Sequence, residues 1–151
     1  MLKKSNISWS SKQLVKMIKN NNISFDNKYQ RKYVWDDKRK SLFIDSLIEG
    51  YPVPPMFAKK GNGIYEMVDG LQRATTVSDY VNDKFSLGVL PDITDEGETI
   101  CVSGKKYSEL PENLQDNINS YMFTIYYFED ISDDELKELF FRLNNNLPLT
   151  E

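Results

Sequence analysis

The stretch Ile64–Val81, IYEMVDGLQRATTVSDYV, limits most strongly what this chain can become. Apolar and polar residues alternate from Ile64 to Val68, the period of a half-buried strand. The pattern breaks at the turn dipeptide Asp69-Gly70. It resumes with Leu71, Ala74, Val77 and Val81 at helical spacing. Asp69 with Gln72 three residues later reads as a helix N-cap and its reciprocal partner. The spacing therefore predicts a strand, a glycine turn and a helix, with Gln72 and Arg73 in the first helical turn. Unpaired backbone N–H groups and the positive end of the helix dipole gather there and suit an anion. The planar fork of Arg73 suits phosphate in particular. On these five residues alone, a capped helix with a solvated arginine is the simpler reading.

Around this unit the chain alternates short strands and helices. Ser8 to Ser11 precede a helical pattern with Leu14, Val15 and Ile18 on one face, and a serine caps it. Ile23-Ser24-Phe25 reads as a short strand. In the run from Asp26 to Trp35, aromatics interleave with cations, as on a stacking and phosphate-binding surface. The commoner fate of Tyr33, Val34 and Trp35 is core. Asp36 and Asp37 open a helix with Leu42, Phe43, Leu47 and Ile48 inward, closed by Gly50. Met56-Phe57-Ala58, then Gly61-Asn62-Gly63, predicts a hairpin pairing antiparallel with Ile64–Val68. Lys84 to Glu98 reads as an irregular, acidic, exposed excursion, followed by a short strand at Thr99–Val102. Leu110-Pro111 starts a helix with Leu114 and Ile118 on one stripe. Tyr121–Phe128 has the aromatic and β-branched content of a buried strand. Ser132 to Glu135 form a capping box leading a helix with Leu136, Leu139, Phe140 and Leu143 on one face. The expectation is one α+β domain over 1–151.

Composition removes whole classes of chemistry. There is no histidine, so no Ser-His-Asp or Cys-His pair, no histidine metal cluster and no histidine general base. What remains is chemistry by carboxylates, Lys/Arg, Tyr, Ser/Thr or a carboxylate-held Mg²⁺. One cysteine, Cys101, permits no intrachain disulfide and reads as an inert, buried or half-buried thiol. No apolar run approaches membrane-spanning length, and MLKKSNISWS lacks a signal-peptide core. A cytoplasmic location with no membrane partner is the expectation. The net charge of −4 divides unevenly: residues 1–60 hold 13 Lys/Arg against 5 Asp/Glu, and residues 61–151 hold 6 against 18. Such asymmetry marks a polyanion face unless the two halves interleave and neutralise each other.

Four stretches in order carry a resemblance: YQRKYVW at Tyr29–Trp35, SLIEGYPVPPMF at Ser46–Phe57, YEMVDGLQRATT at Tyr65–Thr76 and FFRLNNNLPLTE at Phe140–Glu151. Together they resemble the N-terminal domain of GmrSD-type modification-dependent restriction systems. That family, within the ParB/sulfiredoxin-like fold, usually carries a DGQQR signature. The resemblance implies a ParB/sulfiredoxin-like single domain, a small mixed sheet packed with about five helices. It also implies a nucleoside-triphosphate site with Mg²⁺, used by hydrolysis or as a switch to control DNA cleavage by a separate domain. Asp69, Gly70, Gln72 and Arg73 match the signature. Gln30 and Arg31 match a glutamine-arginine box, and Arg142 and Asn144 a late RxN element.

The roles implied are phosphate contacts from Arg73, Arg31 and the backbone at Gly70–Gln72. Asp69 would hold Mg²⁺ or orient a water, and Gln30 and Gln72 would position the γ-phosphate or water. Asn144 closes the site, and Tyr29 or Trp35 stacks on the base. Against each stands a simpler role: N-cap for Asp69, a salt bridge with its own helix for Arg142. Two departures matter. Leu71 stands at the third signature position, where the first of the two glutamines is usual, which puts hydrolysis in question. The chain also stops where members continue into a histidine-containing nuclease domain, so no nuclease activity is expected of it. Implied partners are nucleotide, DNA or a nuclease subunit, and a second copy of the chain. The alternatives are a non-enzymatic module binding nucleotide, modified DNA or a partner protein (a phage-borne decoy, for example) and a ParB-like DNA clamp. The lack of a helix-turn-helix segment counts against the clamp.

Overall fold

A computed structural model describes residues 1–25 and 34–145. Seven strands and five α-helices follow in the order β1 (Ser5–Ser10), α1 (Ser11–Lys19), β2 (Ile23–Ser24), α2 (Asp37–Glu49), β3 (Met56–Gly61), β4 (Ile64–Asp69), α3 (Leu71–Val81), β5 (Ile93–Asp95), β6 (Glu98–Ile100), α4 (Glu112–Ser120), β7 (Met122–Phe128) and α5 (Asp133–Asn145), with a short 3₁₀ turn at Tyr107–Glu109. Strands and helices intermix, as expected of an α+β chain.

The main sheet is mixed, in the order β1-β7-β3-β4-β2. Its β3–β4 hairpin turns on Asn62 and Gly63, both at positive φ, as the Gly-Asn-Gly sequence predicts. β7 lies between β1 (antiparallel) and β3 (parallel), so both of its edges are hydrogen-bonded, and apolar residues on both of its faces are buried. Its alternation divides them: Phe123 and Ile125 join the large core, whereas Phe128 joins a smaller cluster on the opposite face. Helices α1–α4 supply Leu14, Ile44, Leu47, Ala74, Val77, Leu114 and Ile118 to the large core. Helix α5 covers the other face over Val68 and Phe128, with Leu136 buried and Leu139, Phe140 and Leu143 half-buried.

Local signals place most helix ends where expected. The Ser10 side chain accepts from the Gln13 N–H, and Asp36 accepts from the Arg39 N–H at 2.8 Å. Ser132 and Glu135 exchange bonds at 3.0 and 3.1 Å, a full capping box.

Several expectations fail, each for a packing reason. Leu42 is exposed, whereas Phe43, Leu47 and Ile48 are buried as expected and Ser41, Ile44 and Asp45 join them. Val34 is exposed rather than core. The Lys84–Glu98 stretch is not an exposed excursion: Leu87 and Ile93 are buried, and the Gly88 N–H donates to Ser41 Oγ at 2.8 Å. The strand expected at Thr99–Val102 sits at Glu98–Ile100, paired with β5 in a separate two-stranded sheet. Strand β1 is concealed by its serines, since only Ile7 and Trp9 turn toward the core. Cys101 is exposed rather than buried. Among the described residues no helix is long and apolar enough to cross a membrane.

Candidate functional site

The strand–turn–helix at Ile64–Val81 forms as its sequence predicts, but its junction is built differently. The helix α3 has Gly70, not Asp69, at its N-cap, and no side chain caps it. The expected Asp69–Gln72 reciprocal cap is therefore absent, and both side chains go elsewhere. Gly70 has φ +130°, and a Cβ there would lie 2.7 Å from Met56 Sδ. Both the backbone conformation and the space demand glycine at this position.

A register break prepares this junction. Ala58 pairs with Met67, but Phe57 pairs with Asp69, so Val68 is an extra residue in β4. Strict alternation would carry Asp69 to the same side as Tyr65 and Met67, which belong to the large core. The bulge instead sets Asp69 opposite Phe57, a residue of the α5-side cluster. Paired residues share a face, so one inserted residue re-aims the carboxylate toward α5.

Below α5 lies an open cleft of about 300 Å³. The β4–α3 junction contributes Val68, Asp69, Gly70, Leu71, Gln72 and Arg73; Trp35, Phe43 and Pro54 form further wall, and α5 adds Phe140 and Asn144. That size is at the lower end for small-molecule sites, with an apolar lining and few convergent polar groups.

Arg73 is the polar centre of the cleft. It is 8% exposed. Its Nη1 donates to the Pro54 carbonyl at 2.8 Å, and its Nη2 donates to Asp69 Oδ2 at 3.0 Å. Burial pushes the guanidinium down from its ordinary value, and the neighbouring Asp69 charge pulls it back up. The group stays cationic, since a guanidinium does not lose its proton in proteins. Among the described residues two acceptors, the Pro54 carbonyl and Asp69 Oδ2, meet its five N–H donors. Arg73 is thus not the solvated arginine of the simpler reading.

The other predicted residues divide. Gln72 lines the cleft, but its Oε1 accepts the backbone N–H groups of Val34 and Trp35, each at 3.0 Å. Trp35 is half-buried at the wall, its ring 5.4 Å from that of Phe43 in an edge-on contact, so it serves packing and cleft together. Asn144 lines the cleft while its Nδ2 donates to the Phe140 carbonyl at 2.8 Å. Arg142 is not brought there: it is exposed, and its Nε donates to Glu138 Oε2 at 2.7 Å, the salt bridge within its own helix. Tyr29, Gln30 and Arg31 lie outside the described residues. Leu71 lines the same cleft, half-buried. The Pro54 carbonyl was missed, and no sequence signal marks it, because its role comes from where the Pro52–Pro55 connection passes.

As a Mg²⁺ site the described lining offers one carboxylate, Asp69, whose side chain is 45% exposed. No cluster of three or more metal-ligating side chains occurs among the described residues. One carboxylate fits a Mg²⁺ held mainly by a ligand's phosphates and water, not a cage built by protein alone.

Fold and site together define a small α+β domain whose cleft opens at a bulged strand, a glycine turn and an uncapped helix start, around a buried arginine. The chain belongs to the family described as the GmrSD restriction endonuclease N-terminal domain, whose model matches residues 11–151. No curated protein matches it. A solved structure that is similar is the C-terminally truncated chromosome-partitioning protein ParB from Caulobacter crescentus, complexed with CTP-gamma-S. The TM-score is 0.49 at 10% identity, over 95% of this chain and 54% of that one. The chain thus spans about half the length of that structure.

Proposed function

We infer that the chain is a nucleoside-triphosphate-binding regulatory domain of a DNA restriction system, and that the triphosphate sits in the Gly70–Arg73 cleft. The observation that carries this reading is the buried Arg73 guanidinium, held beside a glycine turn and a helix start that no side chain caps. A cation already removed from water gains from an anionic ligand without further desolvation, and the helix start adds backbone N–H donors and a favourable dipole. Family membership supports the same reading.

In this mechanism Arg73 and the N–H groups of the first helical turn hold phosphate. Gly70 permits close approach of the backbone. Trp35 offers an aromatic wall to the base, Asn144 bounds the cleft from α5, and Arg31 and Gln30 supply further contacts from their box. Asp69 would hold Mg²⁺ together with the ligand's own oxygens, and the ion would neutralise charge on the phosphates. Cation and carboxylate already in place mean that phosphoryl transfer here rests on positioning and charge, without histidine.

A second reading, binding without turnover, is favoured by two side chains. Leu71 presents hydrocarbon to the cleft, and Gln72 Oε1 is taken by two backbone donors. Asp69 is then the main described group for orienting a water. On either reading the output passes to DNA or to a nuclease partner.

The test is phosphate release and thermal stabilisation with Mg²⁺ and each of ATP, GTP, CTP and UTP, for wild type and Arg73→Lys. Lysine keeps the charge but not the two-pronged fork. The expected result is stabilisation by at least one triphosphate, reduced tenfold or more in affinity by the variant. No stabilisation of wild type by any of the four overturns the nucleotide reading. Stabilisation without phosphate release selects the binding module over the enzyme.

A further inference from the structure

The segment that enters α2 is fastened at consecutive residues. The N–H groups of Val34 and Trp35 both donate to Gln72 Oε1 at 3.0 Å, and the Asp36 side chain then accepts the Arg39 N–H at 2.8 Å. Val34 and Trp35 belong to no strand or helix, so their N–H groups have no ladder partner, and the Gln72 side chain supplies an acceptor for both. A side-chain carbonyl has two lone pairs and can take both donors at once. This tie spans 38 and 37 residues of sequence and joins the first turn of α3 to the Trp35 wall of the cleft. Trp35 packs edge-on against the buried Phe43, which fixes the ring once its backbone is held.

We propose that Gln72 is a positioning residue: its amide oxygen pins Val34 and Trp35 and so sets the aromatic wall of the cleft, rather than contacting phosphate or a reacting water. The consequence for ligand binding rests on the proposed nucleotide site, whereas the pinning itself does not. Because Gln72 and Arg73 share one helical turn, the anion-receiving end of α3 and the wall move as one unit. A ligand held at that turn finds the wall already in place, so no ordering is left for the moment of binding.

Two substitutions separate positioning from contact. Gln72→Glu keeps an oxygen acceptor at the same reach for both N–H groups. Gln72→Met keeps the length and loses the acceptor. Amide exchange measured by NMR on each protein reads the pinning directly. The expected result is exchange of the Val34 and Trp35 amides about tenfold faster or more in Gln72→Met, within about threefold of wild type in Gln72→Glu, and unchanged at the core amides of Leu14 and Ile125 in both. Wild type and Gln72→Met are then titrated with ATP, GTP, CTP and UTP, each with Mg²⁺. Affinity for whichever triphosphate binds wild type should fall at least fivefold in Gln72→Met; Gln72→Glu adds a negative charge beside the phosphates and is read by exchange alone. Where there is turnover, KM should rise with kcat unchanged.

Unchanged exchange at Val34 and Trp35 in Gln72→Met overturns the proposal. So does triphosphate affinity within twofold of wild type in Gln72→Met while its Val34 and Trp35 amides exchange freely, because the wall would then not depend on the pin. Wild type that binds none of the four triphosphates overturns the nucleotide site instead, and the exchange data alone then decide the pinning.

Discussion

Replacing Gly70 by alanine isolates the feature on which the cleft depends. Two costs add. At φ +130° an L-residue is strained, which costs about 1–2 kcal/mol by analogy with other left-handed positions. The new Cβ would also lie 2.7, 2.8 and 3.0 Å from Sδ, Cγ and Cβ of Met56. Met56 is fully buried, so it yields only by shifting its packed neighbours, and overpacking of that kind costs about 1–3 kcal/mol. The expected loss is therefore about 2–5 kcal/mol. With a urea slope of about 2 kcal/mol/M, the unfolding midpoint should fall by about 1–2.5 M. The assay is urea denaturation of wild type, Gly70→Ala, Met56→Ala and the double variant. Removing Sδ and Cγ of Met56 relieves the two closest overlaps, leaving the Cβ contact at 3.0 Å and the strain. In the Met56→Ala background the alanine at 70 should therefore cost only about 1–2 kcal/mol, a coupling of about 1–3 kcal/mol. A midpoint shift below about 0.3 M at unchanged slope would refute the account of the junction. A full-sized loss with no coupling would refute its steric half.

Two further expectations concern sites away from the cleft. Asp45 is buried in α2 with no partner for Oδ1, and burial first, then the hydrogen bond and charge of Glu49, push its carboxyl up from the ordinary 3.8 to about 7. The fold thus prefers the protonated form: this stability is present at low pH and is lost as pH rises from about 4 through 7. Against Asp45→Asn, wild type should lose about 1–2 kcal/mol between pH 4.5 and pH 8 after allowance for solvent screening, and parallel urea midpoints across that range would refute it. Ser132→Ala removes one half of the α5 capping box and should cost about 1 kcal/mol. Because α5 forms the roof of the cleft, amide exchange in its first turn should quicken before that of β7, and equal change in both would contradict local fraying.

Much of this molecule was legible without coordinates where the cause is local. A cap needs its acceptor three residues from its donor, so Asp36 and Ser132 announce α2 and α5 in the sequence alone. Helical spacing in Leu71–Val81 fixes which side of α3 is apolar, with Ala74 and Val77 buried. The missing histidines fix which chemistry is excluded. The resemblance carried by four ordered stretches led to the family that residues 11–151 match.

What only the tertiary structure decided are the contacts between residues far apart in the chain, because neither partner marks the other. Strict alternation would turn the Asp69 carboxylate toward the large core; one extra residue at Val68 sends it to the α5 face. A glutamine three residues after an aspartate looks like a cap, yet the backbone donors at Val34 and Trp35 outcompete the local partner. Arg73 is buried because the Pro52–Pro55 connection passes within 2.8 Å and supplies a carbonyl that no side-chain pattern encodes. Period and spacing report what a residue's neighbours in sequence allow. Which buried donors meet which acceptors is settled only when the sheet has closed and polar groups sealed from water compete for the partners within reach.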